Sequence, residues 1–72
     1  MKVGDYVYQD HTEATALLVE ELKNGSFKAI VHDWRGRSVV KSISGWYPAP
    51  RVVDPATVPD EVKAKINRRL NA

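Results

Sequence analysis

Apolar and polar positions alternate through most of the first fifty residues. The runs ATALLVEELK and SFKAIVHDW, separated by Asn24-Gly25, read as two extended segments folded back on each other. Asn-Gly suits such a turn because both central positions of a type I′ loop need positive φ. A two-residue loop at Asn24-Gly25 sets Leu22 opposite Phe27, Glu21 opposite Lys28, Val19 opposite Ile30 and Leu18 opposite Val31. The Glu21–Lys28 pair is of opposite charge, a cross-strand contact worth about 0.2–1 kcal/mol that a slip of one residue would lose. The same reasoning at Arg35-Gly36 pairs Val31 with Val40 and His32 with Val39, and predicts a further strand over residues 38–43.

Successive side chains on a strand point to opposite faces, so Leu18, Leu22, Phe27, Ala29, Val31 and Val40 are expected to share a core face. The other face carries Leu17, Val19, Ile30, Val39 and Ile43 beside Glu21, Lys28 and Lys41, which is too apolar to stand in water uncovered. The tail offers a cover. After DPATVP at 54–59, whose prolines bar regular pairing, Val62, Ile66 and Leu70 recur every four residues as the apolar stripe of a helix. Thr57 is its expected cap, Pro59 suits its first turn, Asp60 and Glu61 suit its positive end, and Arg68 and Arg69 suit its negative end. The division is thus a strand body over 1–54 and a linker with helix over 55–72. The stripe fits the second face of its own sheet, or the same face of a second copy, which would make a homodimer.

Residues 12–23 carry a competing pattern. Thr12 as cap, Ala14, Leu17, Leu18 and Leu22 at helical spacing, and Asn24-Gly25 as a stop also describe a helix. That reading gives an α+β chain of order β-α-β-β-α, whereas the hairpin reading gives a mainly β fold with one C-terminal amphipathic helix.

A chain of 72 residues is one domain, and a fold of about this size buries only roughly 60% of the surface of its unfolded chain. There is no cysteine, and the histidines, His11 and His32, have no ligand partner at metal spacing, so neither metal nor cofactor is expected. No apolar run approaches the ~18 residues of a bilayer span, and MKVGDYVYQ lacks the apolar core of a signal peptide. A soluble, cytoplasmic protein without membrane association is expected. The net charge is +2 but unevenly spread: Asp5, Asp10, Glu13, Glu20 and Glu21 dominate the first 22 positions, and Lys23, Lys28, Arg35, Arg37, Lys41 and Arg51 the next stretch to 51.

KVGDYVYQ, the turns at KNGS and RGR, and the proline-containing corner in WYPAPRVV together resemble the SH3-like small barrel family over roughly residues 2–53. The resemblance implies a five-stranded barrel with Trp46 or Tyr47 plugging one end and Val52 and Val53 closing the sheet. In peptide-binding members a similar aromatic and proline, here Trp46, Tyr47 and Pro48, form a shelf for proline-rich ligands, with N-terminal tyrosines, here Tyr6 and Tyr8, as the opposite wall. Each of these aromatics has an alternative use as core or barrel-end packing.

Trp34 flanked by Arg35 and Arg37, with Lys41, Arg51 and the tail cations, offers another surface. Basic groups contact phosphates and an exposed aromatic stacks a base. Catalysis has little footing: His32 and Asp33 are adjacent on a strand and face opposite ways, Ser42 and Ser44 have no evident base, and the four glycines are single and separated. The sequence therefore points to a non-catalytic binding module for a protein partner, with nucleic acid as the alternative ligand. Its candidate contact residues are Tyr6, Tyr8, Trp34, Arg35, Arg37, Trp46, Tyr47 and Pro48.

Overall fold

Residues 14–21 form a strand. They have the side chains of a helix, but as a strand their backbone is paired on both sides, and this tertiary pairing overrides local propensity. The computed structural model describes residues 1–43 and 50–72. Five strands, β1 (Tyr6–Gln9), β2 (Ala14–Glu21), β3 (Phe27–His32), β4 (Ser38–Ile43) and β5 (Arg51–Val53), precede the helix α1 (Asp60–Leu70), with 3₁₀ turns at Lys23–Gly25 and Pro55–Thr57. All ladders are antiparallel, in the order β4-β3-β2-β1-β5. The last strand returns to the first, pairing Tyr6 with Val53, Val7 with Val52 and Tyr8 with Arg51. Among the described residues no ladder joins β4 to β5, so the five strands make an open sheet. Nor is any helix there long and apolar enough to cross a membrane.

Both hairpins differ from the expected two-residue loops. Leu22 N–H donates to Ser26 O (2.8 Å), which encloses Lys23, Asn24 and Gly25. Asp33 N–H donates to Arg37 O (2.9 Å), which encloses Trp34, Arg35 and Gly36. In each loop the glycine is the third residue and has positive φ, +75° at Gly25 and +82° at Gly36, as in a turn followed by a left-handed residue. The longer loop moves Lys28 opposite Glu20 instead of Glu21, and Glu21 opposite Phe27. A bulge between Leu18 and Glu20 then shifts the ladder again, to Leu18–Ala29, Leu17–Ile30 and Ala16–Val31. Across β3 and β4 the partners are Val31–Val39 and Ile30–Val40.

A one-residue slip moves a strand's side chains to the other face, and the core changes accordingly. The first cluster is Val7, Ala14, Ala16, Leu18, Phe27, Ala29, Val31 and Ile43, with Val39 packed against it. Val39 and Ile43 thus lie on the face expected for Val40, which is exposed. The extra residue at the bulge bends β2, and three of the buried side chains on this face are alanines, Ala14, Ala16 and Ala29. Gln9, buried there, accepts a hydrogen bond from Thr12 Oγ1 at its Oε1 (2.7 Å).

The second cluster is Leu17, Ile30 and Ile66, flanked by Tyr6, Val19 and Val62. Here α1 rests on the sheet, chiefly over β3. Ile66 is completely buried, whereas Leu70, also expected in the stripe, is 48% exposed. Thr57 does not cap α1. Its hydroxyl donates to Asp54 O (2.6 Å) inside the 3₁₀ turn, where Asp54 Oδ1 also accepts from Ala56 N–H (2.9 Å). The helix starts from Pro59 without a side-chain cap, with Asp60 and Glu61 in its first turn and Arg68 and Arg69 in its last.

Replacing Ile66 with alanine is expected to lower unfolding free energy by about 2–5 kcal/mol in urea titration. Leu70→Ala, at an exposed position, should change it by less than about 0.5 kcal/mol. Equal losses at the two sites would contradict the docking described here.

Candidate functional site

The tip of the β3–β4 hairpin is organised by a carboxylate. Asp33 Oδ1 accepts from the backbone N–H of Arg35 (2.9 Å) and of Arg37 (3.0 Å), and Gly36 N–H donates to Asp33 O (3.0 Å). Asp33 Oδ2 also lies 3.7 Å from Arg37 Nε. The Arg37 amide, then the Arg35 amide and both guanidinium charges, hold the Asp33 carboxyl below its ordinary value of 3.8 against a smaller upward push from desolvation. These bonds fix the path of the loop that carries Trp34. The indole is 67% exposed, and the Arg35 guanidinium sits over its ring at 5.0 Å from the centroid, within the range of a cation–π contact.

The docked helix brings its last turns to this tip. Gly36 and Ser38 from the hairpin, and Lys65, Arg68, Arg69 and Ala72 from the tail, line an open cleft of about 350 Å³. A Cβ at Gly36 would lie 3.5 Å from Lys65 Nζ, so the lysine passes close over the turn. Lys65 is also 3.7 Å from Glu61. Arg68 and Arg69 are exposed, with no carboxylate in ion-pair range among the described residues.

A second cleft, of about 360 Å³, lies at the opposite edge of the sheet, lined by Tyr8, Thr15, Arg51, Val53 and the 57–59 segment. Arg51 lies over the Tyr8 ring at 5.3 Å. It is oriented by Asp10 through two bonds, Nε to Oδ2 (3.2 Å) and Nη2 to Oδ1 (3.3 Å). That pairing lowers the Asp10 carboxyl and raises the Arg51 guanidinium from their ordinary values. The two clefts share a register. Arg51 pairs with Tyr8, Tyr8 with Thr15, Thr15 with His32 and His32 with Ser38, so five side chains form one transverse row on the face that α1 covers in part. His32 Nδ1 is 3.3 Å from Ser38 Oγ. Four strand spacings make this row roughly 19 Å long.

The residues singled out from sequence are therefore distributed over three places. Trp34, Arg35 and Arg37 stand together at the hairpin tip. Tyr8 lies in the far cleft, while Tyr6, half-buried, packs against the Leu17–Ile30–Ile66 cluster. Trp46, Tyr47 and Pro48 fall outside the described residues. Among those described, no three His, Asp or Glu side chains converge as a metal site would require. Two features went unseen in the sequence reading. Asp33 could have been found, because Asp at the first and Gly at the fourth position mark a type I turn. The convergence of Lys65, Arg68 and Arg69 on the hairpin could not, since nothing local states where a helix docks.

Asp33→Ala should accelerate hydrogen exchange at the Arg35 and Arg37 amides without unfolding the sheet. In the wild type the restraint should be complete above the ordinary carboxylate value and be lost only as pH falls through the lowered Asp33 value, because the folded state favours the ionised form. Amide shifts of Arg35 and Arg37 that ignore the Asp33 titration would contradict this role. Compared with protein-family models, curated proteins and solved structures, the chain finds no significant match in any of the three.

Proposed function

We propose that this protein is a non-catalytic nucleic-acid-binding module, whose interface is the cleft between the Trp34–Arg37 hairpin tip and the C-terminal turns of α1. The observation that carries the reading is the convergence of Lys65, Arg68 and Arg69 on Gly36 and Ser38, beside an exposed indole. Cations of the helix meet the hairpin that carries Trp34, Arg35 and Arg37, and arginine and lysine grouped near an aromatic supply phosphate contact together with a stacking platform. The small net charge of +2 is no obstacle, because the field is local: Asp10 is paired with Arg51 at the far edge of the sheet, and Arg68 and Arg69 have no carboxylate in ion-pair range among the described residues.

A protein-binding module is the second reading, favoured by the sheet edge at β5. Val52 is exposed there, on the face opposite the cleft of Tyr8, Val53, Val58 and Pro59, and an extended peptide adds readily to such an edge. The SH3-like barrel belongs to the same proposal. A last strand that returns to pair with β1, and a first face rich in buried alanine and valine, support it.

The two readings separate by titrating short DNA or RNA at low and moderate salt. On the nucleic-acid reading, affinity falls steeply with salt, with a log–log slope of about −0.7 to −0.9 per phosphate contacted. The double variant Arg68→Ala, Arg69→Ala should weaken binding about tenfold or more and flatten that slope by about one for each cation removed. Retention that is absent at low salt, or untouched by the double variant, rejects this interface.

A further inference from the structure

We infer, building on the nucleic-acid reading, that the ligand is a single strand laid across the sheet from Trp34 to Tyr8, with an unpaired base stacked on each ring. The two ends of the path are alike. Each presents an aromatic ring with an arginine over it, Trp34 with Arg35 and Tyr8 with Arg51. Tyr8 and Arg51 line one cleft with Thr15 and Val53, and the turn that carries Trp34 contributes Gly36 to the other, with Ser38 and the helix cations. Between them the ladder aligns Tyr8, Thr15, His32 and Ser38 in one row on one face. Hydroxyls and an imidazole along that row give hydrogen-bonding groups between the two charged ends.

The chemistry selects a single strand because a duplex keeps the faces of its bases inside the stack. A ring on a protein surface reaches a base face only where the base is unpaired. Trp34 is too exposed to serve as packing, and it is held in place by the loop that Asp33 ties down. From Tyr8 to Ser38 the row spans three strand spacings, roughly 14 Å, room for a few nucleotides between the two stacked bases. Lys65, Arg68 and Arg69 lie at the Ser38 end, where they meet the phosphates next to the base on Trp34.

The test uses fluorescence anisotropy with the whole chain and a labelled strand of about ten deoxythymidines, within the size range of single-strand sites. A uridine strand, a duplex of the same length and inorganic polyphosphate are the comparison probes. At least one of the two single strands should bind about tenfold or more tighter than the duplex and the polyphosphate, and the stronger of the two identifies the preferred sugar. Trp34→Ala should cost about fivefold or more, the loss expected when a stacking ring is removed. Tyr8→Leu should cost a similar factor with the long strand and nothing with a dinucleotide too short to reach it. As a readout that does not depend on variant folding, the ring protons of both Trp34 and Tyr8 in the wild type should move upfield when the strand is added.

Equal affinity for duplex and single strand, or an unmoved Trp34 ring, overturns the inference while leaving a charge-held nucleic acid in place. An unmoved Tyr8 ring overturns the path across the sheet. Failure of every nucleic acid to bind at low salt removes the reading beneath it, and the inference with it.

Discussion

The contact of Ile66 with Leu17 and Ile30 governs the arrangement of everything that is exposed. It is a small hydrophobic seat, yet one fully buried aliphatic side chain contributes about 1.5–3 kcal/mol by removal from water. A domain of this size has a total stability of only about 4–11 kcal/mol by per-residue scaling. With no cysteine in the chain, this seat and the sheet core carry the fold. Because Ile66 is fixed, the residues on either side of it along α1 are fixed too. Lys65 is brought over Gly36, and Arg68 and Arg69 are brought beside Ser38. A helix docked elsewhere would carry the same cations to a different neighbour, and the hairpin tip would hold only its own two arginines.

The hairpin tip contributes rigidity in return. A loop of three residues needs a left-handed third position, which Gly36 supplies, and Asp33 accepts from the two amides that would otherwise be left to solvent. Polar bonds of this kind define a shape more than they add stability, because water competes for both partners. Their effect is that the Trp34 indole projects from a fixed loop without being buried. The Asp10–Arg51 pair acts similarly at the other edge, holding a guanidinium over Tyr8. Two charge-assisted contacts thus act next to two rings, the exposed Trp34 and the half-buried Tyr8.

The same loops explain why the register was harder to read than the strands. At Glu20-Glu21 the sequence offers a carboxylate at either of two neighbouring positions, so an opposite charge meets Lys28 whether the loop has two residues or three. At Val39-Val40 either valine can stand opposite Val31. Each doublet erases the penalty that normally marks a slip of one residue. The bulge at Val19 has no distinctive side chain and leaves no sign in the pattern. Tyr6 illustrates the consequence for function: the segment DYVYQ shows two tyrosines on one face, both half-buried, but only the covering helix makes Tyr6 part of the Leu17–Ile30–Ile66 cluster while Tyr8 lines a cleft.

What the chain determined by itself was local. The apolar pattern fixed the strands on either side of Arg35-Gly36, the prolines at 55 and 59 fixed where the body stops, and the four-residue spacing of Val62 and Ile66 fixed an amphipathic helix. Each is a property of consecutive residues, set by backbone sterics and side-chain period. Tertiary structure alone decided that residues 14–21 are extended instead of helical, which valine faces the core, and which cations share a cleft. Those outcomes depend on pairing and burial between segments distant in sequence, where the free energy of packing is larger than the local preference and is not written at any one position.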